Sequence, residues 1–374
     1  MWTAASWPIS ASSPENIFPI RPGKRIPGLL KTWEGGVWMV HRFLTGSYAG
    51  RDDFGVCRCS FDPEKGFQLE KGWSGFANPS FILRHPHLPI LYTVEENSPE
   101  GAVRAWRMEG DSLTSLGGFP SGGDSPCHLS LSAGEKYLYA ANYMDGMLAV
   151  FSLDERGIIE GRTDLKRLTG RGPNHVRQEG PHAHCSLEAD GLLYVCDLGA
   201  DRIAIFENRD GILKEKAGVA LSPGCGPRHL AVSPSHSNLL YCVTELENSV
   251  YVIDREGGTY TVLQRLSTLP EGFQGESFAA AIHISPDGRA LMASNRGHDS
   301  VAVYPVRADG LLDSPVISPC VREPRDFIIL DQTVIIGSQK DGLIRAYVLN
   351  EENQALAETP FSAKVNCPVC FAGC

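Results

Sequence analysis

The chain has 374 residues, of which 42% are hydrophobic and 21% charged, a balance typical of a globular protein. Its formal net charge of −10 argues against a nucleic-acid partner, because binding to phosphate backbones requires a basic face. A run of about 18 apolar residues, which a transmembrane helix would need, is missing from the sequence. The 39 glycines and 25 prolines favour many turns and short strands.

The first residues, MWTAASW, lack a basic segment followed by an apolar stretch, so we expect no signal peptide. The cysteines number 11, an odd count, and are scattered along the chain. We therefore expect reduced thiols in a cytoplasmic protein, many of them serving as small core residues on strands.

Residues 1–36 are rich in Pro, Ser and Gly and match no later segment, so we expect an irregular N-terminal extension. From residue 37 to residue 374 the chain is repetitive. One phrase, an apolar strand that ends in a polar corner, occurs seven times, with starts separated by 48, 47, 55, 47, 51 and 43 residues. The seven copies are residues 43–48, 91–96, 138–143, 193–198, 240–245, 291–296 and 334–339.

A second recurring motif lies before most copies and predicts a first strand, so that the copy itself is the second strand. A third strand of alternating pattern follows, and the residues before the next unit are long enough for a fourth strand. Four short strands in each 43–55 residues are typical of a propeller blade, and helical periodicity of useful length is absent. We predict an all-β fold, a seven-bladed β-propeller of four-stranded antiparallel blades, in which residues 365–371 share a blade with the first copy.

Hairpin geometry predicts where a functional site would lie. The start of the first strand and the end of the second lie at the same end of a blade, and blades surround a common axis. Five polar residues at such positions in neighbouring blades form the candidate site: His182, His184, Arg228, Glu245 and Arg296. Histidine is the usual acid or base near neutral pH, and guanidinium groups bind carboxylates and phosphates.

Motifs around these residues resemble those of a known family. They are GPHAHC at 180–185, GPRHL at 226–230, TELENS at 244–249, IHISPDG at 282–288 and ASNRG at 293–297. Taken in this order they resemble the seven-bladed β-propeller lactonase family, over about residues 40 to 371. The family includes propeller-type 6-phosphogluconolactonases and the fungal carboxymuconate-lactonising enzyme.

The resemblance implies a lactone hydrolase that acts on 6-phosphoglucono-1,5-lactone, in the pentose phosphate pathway. It implies His184, Glu245 and His182 as catalytic residues and Arg228 and Arg296 as substrate-binding residues. Whether His184 or Glu245 activates the water, and which of the two histidines acts, stays open. We expect a small anionic lactone as the partner, with no nucleic acid, no membrane, no cofactor and no metal.

Two alternatives remain. A lyase or isomerase acting on a carboxylated muconolactone would use the same arginine pair. A non-catalytic interaction propeller would show plain rims and Trp-Asp dipeptides, which this sequence lacks.

Several other polar residues favour structural roles. His128, His229 and His283 recur at similar places in different blades, so we expect them to fasten neighbouring blades. The pair Glu95 and Glu96 lies blades away from the histidine pair and is interpreted as a solvated corner.

Overall fold

A computed structural model describes residues 40–374 except 351 and 353. The predicted extension at 1–36, and the predicted start of the propeller at 37, lie outside the described residues. Among the described residues, no helix has the length and apolar character needed to span a membrane.

The described chain consists of short strands joined by turns, with two brief 3-10 turns at Leu198–Ala200 and Glu256–Gly258. The strands are β1 (His41–Ser47), β2 (Val56–Asp62), β3 (Gly66–Trp73), β4 (Ile82–Arg84), β5 (Ile90–Glu95), β6 (Ala102–Glu109), β7 (Ser112–Pro120), β8 (Pro126–Leu131), β9 (Tyr137–Asn142), β10 (Met147–Leu153), β11 (Ile159–Arg167), β12 (Ala183–Ala189), β13 (Leu192–Asp197), β14 (Arg202–Arg209), β15 (Ile212–Ala220), β16 (Pro227–Val232), β17 (Leu239–Thr244), β18 (Ser249–Asp254), β19 (Thr261–Ser267), β20 (Phe278–Ile284), β21 (Ala290–Arg296), β22 (Ser300–Pro305), β23 (Val316–Pro319), β24 (Pro324–Leu330), β25 (Thr333–Ser338), β26 (Leu343–Leu349), β27 (Leu356–Lys364) and β28 (Pro368–Gly373).

These strands form seven four-stranded sheets, and every paired neighbour is antiparallel. Blade 1 has the order β28-β1-β2-β3, and blades 2 to 7 follow as β4 to β7, β8 to β11, β12 to β15, β16 to β19, β20 to β23 and β24 to β27. The first strands of successive blades contact one another in a closed cycle, from β4 through β8, β12, β16, β20 and β24 to β28 and back to β4. The predicted seven-bladed β-propeller is therefore confirmed.

The two ends of the described chain close the ring together. Strand β28 pairs with β1, with Phe43 opposite Gly373 and Gly46 opposite Cys370. The predicted sharing of a blade by the C-terminal tail and the first copy is confirmed. In a propeller, radial repetition of this kind leaves only short, protected sheet edges.

The repeated Leu-Tyr dipeptide has a structural role. The second strands are buried along their whole length, as in β5 and β17, while outer strands such as β7 are largely exposed. The Tyr92 hydroxyl donates to the Gly157 carbonyl in the next blade at 2.7 Å, and Tyr241 donates to Gly310 in the same way at 2.7 Å. Each tyrosine thus fills the core between blades with its ring and satisfies its hydroxyl on the neighbour.

The cysteines follow the expectation of reduced thiols: all eleven are described and all are free in this structure. Cys57 and Cys59 lie on β2 and pack in the core of blade 1, as their alternation predicts. The four cysteines of the core between blades 4 and 5 are also buried among apolar side chains, at positions 185, 196, 225 and 242.

Candidate active site

The first strands carry a β-bulge at the end where the candidate residues lie. The register shifts at Cys127 in blade 3, at His184 in blade 4 and at Arg228 in blade 5, so each of these residues is left unpaired. Blades 6 and 7 show a related shift between 279 and 282 and between 324 and 327. A bulge re-aims a side chain, and in blades 3, 4 and 5 it takes one residue of the second recurring motif out of the strand pairing.

Glu245 follows directly after β17 and is the centre of a charged cluster. Its Oε2 lies 2.9 Å from the Nε of Arg228 and 2.9 Å from an Nη of Arg296, while its Oε1 lies 2.5 Å from an Nη of Arg177. The Nε2 of His184 is 4.0 Å from Oε2. We call these five residues the Glu245 cluster. Residues from blades 4, 5 and 6 and from the loop before blade 4 thus meet at one carboxylate.

Electrostatics keep this carboxylate ionised. Burial opposes the charge of Glu245, but the charges of Arg296, Arg228 and Arg177 outweigh it and hold its pKa well below the usual value. Burial, together with Arg296 and Arg325, lowers the pKa of Arg228 to about 10. The arginines of the cluster therefore stay charged at neutral pH, and Glu245 is a weak base.

His184 is nearly buried and surrounded by other rings. Its ring centroid lies 5.3 Å from that of His229 and 5.5 Å from that of Tyr143, and its Nδ1 is 3.9 Å from the Sγ of Cys127. Burial and the charge of Arg228 hold the pKa of His184 well below its ordinary value. The imidazole is therefore neutral at pH 7 and is a weaker base than an exposed histidine.

His182 lies outside the Glu245 cluster. Its ring stacks on Tyr143 with centroids 4.6 Å apart, its Nδ1 is 2.8 Å from the Tyr143 carbonyl oxygen, and its Nε2 is 3.4 Å from Glu179. The bulge at His184 interrupts the regular alternation of side chains between the two histidines. The structure therefore brings together His184, Arg228, Glu245 and Arg296 and leaves His182 behind the Tyr143 ring.

Arg177 is a member of the cluster that sequence reasoning missed. It lies on the loop between β11 and β12, where it also contacts the Tyr143 hydroxyl at 3.1 Å. The sequence does contain an indication of this loop: it lies in the longest interval between repeats, which is 55 residues. With 27% of its side chain exposed, Arg177 is the most accessible arginine around Glu245.

The interpretation of Glu96 as a solvated corner is wrong. Its carboxylate accepts hydrogen bonds from Tyr48, at 3.1 and 3.0 Å, and from Ser80. It lines a cavity at the propeller axis together with Arg228 and Arg325. Separation by several blades along the chain does not mean separation in space here, because every blade reaches the axis.

The axial cavity is small, with room for about one water-sized group. Its lining includes Ser80, Glu96, Cys127, Arg228, His229 and Arg325. Glu245 does not line the cavity. Arg228 both lines the cavity and bonds Glu245, so it connects the cavity to the Glu245 cluster.

The other recurring histidines contact neighbouring blades, as expected. His128 accepts a hydrogen bond from the Ser186 backbone N–H at 3.4 Å, and His283 pairs with Asp326 at 2.8 Å. His229 packs against His184 and also lies 3.2 Å from the Arg228 guanidinium, so it combines a packing role with a place in the cavity wall.

A group of metal-ligating type lies elsewhere, at the turns that end the first strands of blades 2 and 3. The two imidazoles of His85 and His87 lie 3.6 and 2.6 Å from the carboxylate of Glu135. The Nδ1 of His85 accepts the backbone N–H groups of His87 and Leu88, both at 3.2 Å, so its proton sits on Nε2 and points to the carboxylate. This group is explained by hydrogen bonding and does not fit a preformed metal site.

Three histidines near the propeller axis, of which His184 is buried and His128 and His229 are partly buried, predict an acid-sensitive fold. Burial lowers the pKa of His128 to about 3 and holds those of His184 and His229 well below the ordinary value. In the unfolded chain each titrates near about 6.5, so below that pH the unfolded state binds protons that the folded state does not, and stability falls. We expect the Tm to fall between pH 7.5 and pH 5, and to fall less steeply for His128→Gln. The measurement is the Tm of the wild type and of His128→Gln at several pH values across this range. Identical slopes of Tm against pH for the two proteins would contradict the account.

The sequence matches the family model described as Lactonase, 7-bladed beta-propeller, over residues 42–372. It is 32% identical over 337 residues to a 6-phosphogluconolactonase of Bacillus subtilis, covering 87% of this chain and 96% of that protein. The structure is similar to a periplasmic gluconolactonase of Pseudomonas aeruginosa, with a TM-score of 0.83, 26% identity and coverage of 89% and 99% of the two chains. A protein from Lactobacillus plantarum is similar to the same degree, with a TM-score of 0.82, 27% identity and the same coverage.

The family match spans nearly the whole described propeller, in agreement with the motifs and the fold. The chain therefore belongs to the seven-bladed β-propeller lactonase family, and the expectation of a lactone-hydrolysing enzyme is confirmed at the level of that family.

Proposed function

We propose that this protein hydrolyses 6-phosphoglucono-1,5-lactone to 6-phosphogluconate at the axial face of the propeller. The observation that carries the proposal is the excess of cationic charge there. Four guanidiniums, those of Arg177, Arg228, Arg296 and Arg325, lie around three carboxylates, those of Glu245, Glu96 and Asp326, in a chain whose net charge is −10. An excess of guanidinium charge at one end of an acidic protein suits an anionic substrate.

The proposed chemistry uses His184 as the general base. The neutral imidazole takes a proton from water, the water oxygen bonds to C1 of the lactone, and the C1–O5 bond breaks as O5 receives a proton. Glu245, 4.0 Å away, stabilises the imidazolium that forms. We assign Glu245 this role rather than that of the base because both of its carboxylate oxygens are already bonded to guanidiniums.

The arginines are proposed to bind the anionic groups of the substrate and of the transition state. Arg296 and Arg228 are proposed to bind the phosphate and the developing oxyanion, and Arg177 is added to them as the accessible member of the cluster. Arg228 is 2% exposed and also bonded to Glu245, so it positions that carboxylate while it presents charge to the substrate through the cavity wall.

The Bacillus subtilis relative supports the choice of substrate, since it is named a 6-phosphogluconolactonase. We also propose a place in the pentose phosphate pathway and a cytoplasmic location, although the Pseudomonas aeruginosa relative is described as periplasmic.

Initial rates on a panel of lactones test the proposal. In a pH-stat, corrected for spontaneous hydrolysis, we expect the purified chain to hydrolyse 6-phosphoglucono-1,5-lactone and not to open a carboxylated muconolactone. Faster turnover of the muconolactone would favour the lyase alternative. No turnover of either compound would favour an interaction propeller.

A further inference from the structure

The axial cavity contains a second pair of charged groups that the proposed chemistry does not use. Glu96 and Arg325 both line this cavity. They come from different blades: Glu96 follows the second strand of blade 2, and Arg325 lies in the first strand of blade 7.

Two hydroxyl groups fix the position of the Glu96 carboxylate. The Tyr48 hydroxyl lies 3.1 and 3.0 Å from its two carboxylate oxygens, and the Ser80 hydroxyl bonds one of them. A carboxylate offers about four acceptor positions, so two hydroxyl donors leave acceptor capacity toward the cavity.

Arg325 has donors available in the same cavity. Its guanidinium lies over the Tyr48 ring at 5.4 Å, which orients it. Within the part of the chain that the structure describes, it forms no ion pair with a carboxylate, although the charges of Glu96 and Glu245 both act on it. This contrasts with Arg177, Arg228 and Arg296, which all bond Glu245.

Glu96 offers an acceptor and Arg325 offers a cationic donor to the same cavity, and the two do not form an ion pair with each other. A hydroxyl group fits this combination well. A hydroxyl donates and accepts at the same time, so it can donate to the carboxylate and accept from the guanidinium. We propose that Glu96 and Arg325 form a subsite for one hydroxyl group of a polyhydroxylated lactone, which sets a preference for sugar lactones over lactones without hydroxyls. The inference rests on the proposed function, since it concerns the substrate of the same site.

The test compares D-glucono-1,5-lactone with δ-valerolactone, which has the same ring and no hydroxyl groups. For Glu96→Gln and for Arg325→Gln we expect kcat/KM on the sugar lactone to fall at least about tenfold, and kcat/KM on δ-valerolactone to stay within about twofold. The matched controls are Glu95→Gln and Arg322→Gln. Glu95 forms ion pairs with Arg51 and Arg104 and does not line the cavity. Arg322 is exposed and pairs with Asp341.

Equal losses on both lactones would overturn the inference, because they would indicate a structural or catalytic role instead of hydroxyl recognition. Calorimetric binding of D-gluconate, which needs no turnover, separates the inference from the proposed function. We expect each of the two variants to bind gluconate at least about tenfold more weakly than the wild type. If the wild type does not bind gluconate, or the variants bind it equally well, the subsite is wrong, whether or not the chain hydrolyses lactones. If gluconate binds as expected and no lactone is hydrolysed, only the proposed function fails.

Discussion

Replacing Glu245 by glutamine should lower the free energy of unfolding by about 3–5 kcal/mol, the cost of removing one partner from a buried ion pair. The carboxylate contacts three guanidiniums, and glutamine leaves their charges without a counter-charge. Turnover per folded molecule should also fall at least about a hundredfold, because protonated His184 loses the group that stabilises it. Chemical denaturation and steady-state kinetics on the same preparation measure both effects.

Glu247→Gln is the matched control for this variant. Glu247 lies two residues further along the same loop and pairs with Arg265, whose side chain is 52% exposed. An exposed pair contributes about 0–1 kcal/mol, so this variant should be nearly as stable and as active as the wild type. If Glu245→Gln melts early but keeps its turnover per folded molecule, Glu245 is structural and the proposed catalytic role is wrong.

Replacing His184 by glutamine should lower kcat by about 10² to 10⁴-fold with little change in KM, the range that general-base catalysis supplies. The neutral imidazole lies at the bulge of β12, where it meets Glu245 at 4.0 Å. His182→Gln should lower kcat by less than about tenfold, because the His182 ring stacks on Tyr143 outside the cluster.

His175→Gln controls for substitutions in this region, since His175 is exposed on the loop that carries Arg177. It should leave kcat unchanged. A large loss for His182→Gln together with a small loss for His184→Gln would reverse the assignment of the two histidines.

The blade count and the closure of the ring follow from local sequence, because each blade repeats the same strand phrase and blades 2 to 5 repeat the same buried tyrosine. The leftover strand at the C-terminus then has one possible partner, the incomplete first blade, and β28 indeed pairs with β1. The shared end of first-strand starts and second-strand ends is also a local consequence of antiparallel hairpins.

The site was predicted less completely, because its geometry depends on contacts between blades. Arg228, Glu245 and Arg296 were found from their positions at strand ends. Arg177 was missed because it lies in a loop outside the repeat, and Glu96 was misplaced because distance along the chain was taken as distance in space. The bulge at His184 leaves no regular pattern in the sequence of one strand, since it depends on pairing with the next strand.

The most direct test of the central claim, that the cationic axial face binds an anionic lactone, is one ratio. It compares kcat/KM for 6-phosphoglucono-1,5-lactone with kcat/KM for unphosphorylated glucono-1,5-lactone, measured on the wild-type protein at pH 7. Hydrogen bonds to charged groups contribute about 1.5–3 kcal/mol, so we expect the phosphorylated lactone to be favoured by about ten- to a hundredfold. Equal values for the two lactones would contradict the account and would leave the arginines around Glu245 as a structural feature of the propeller.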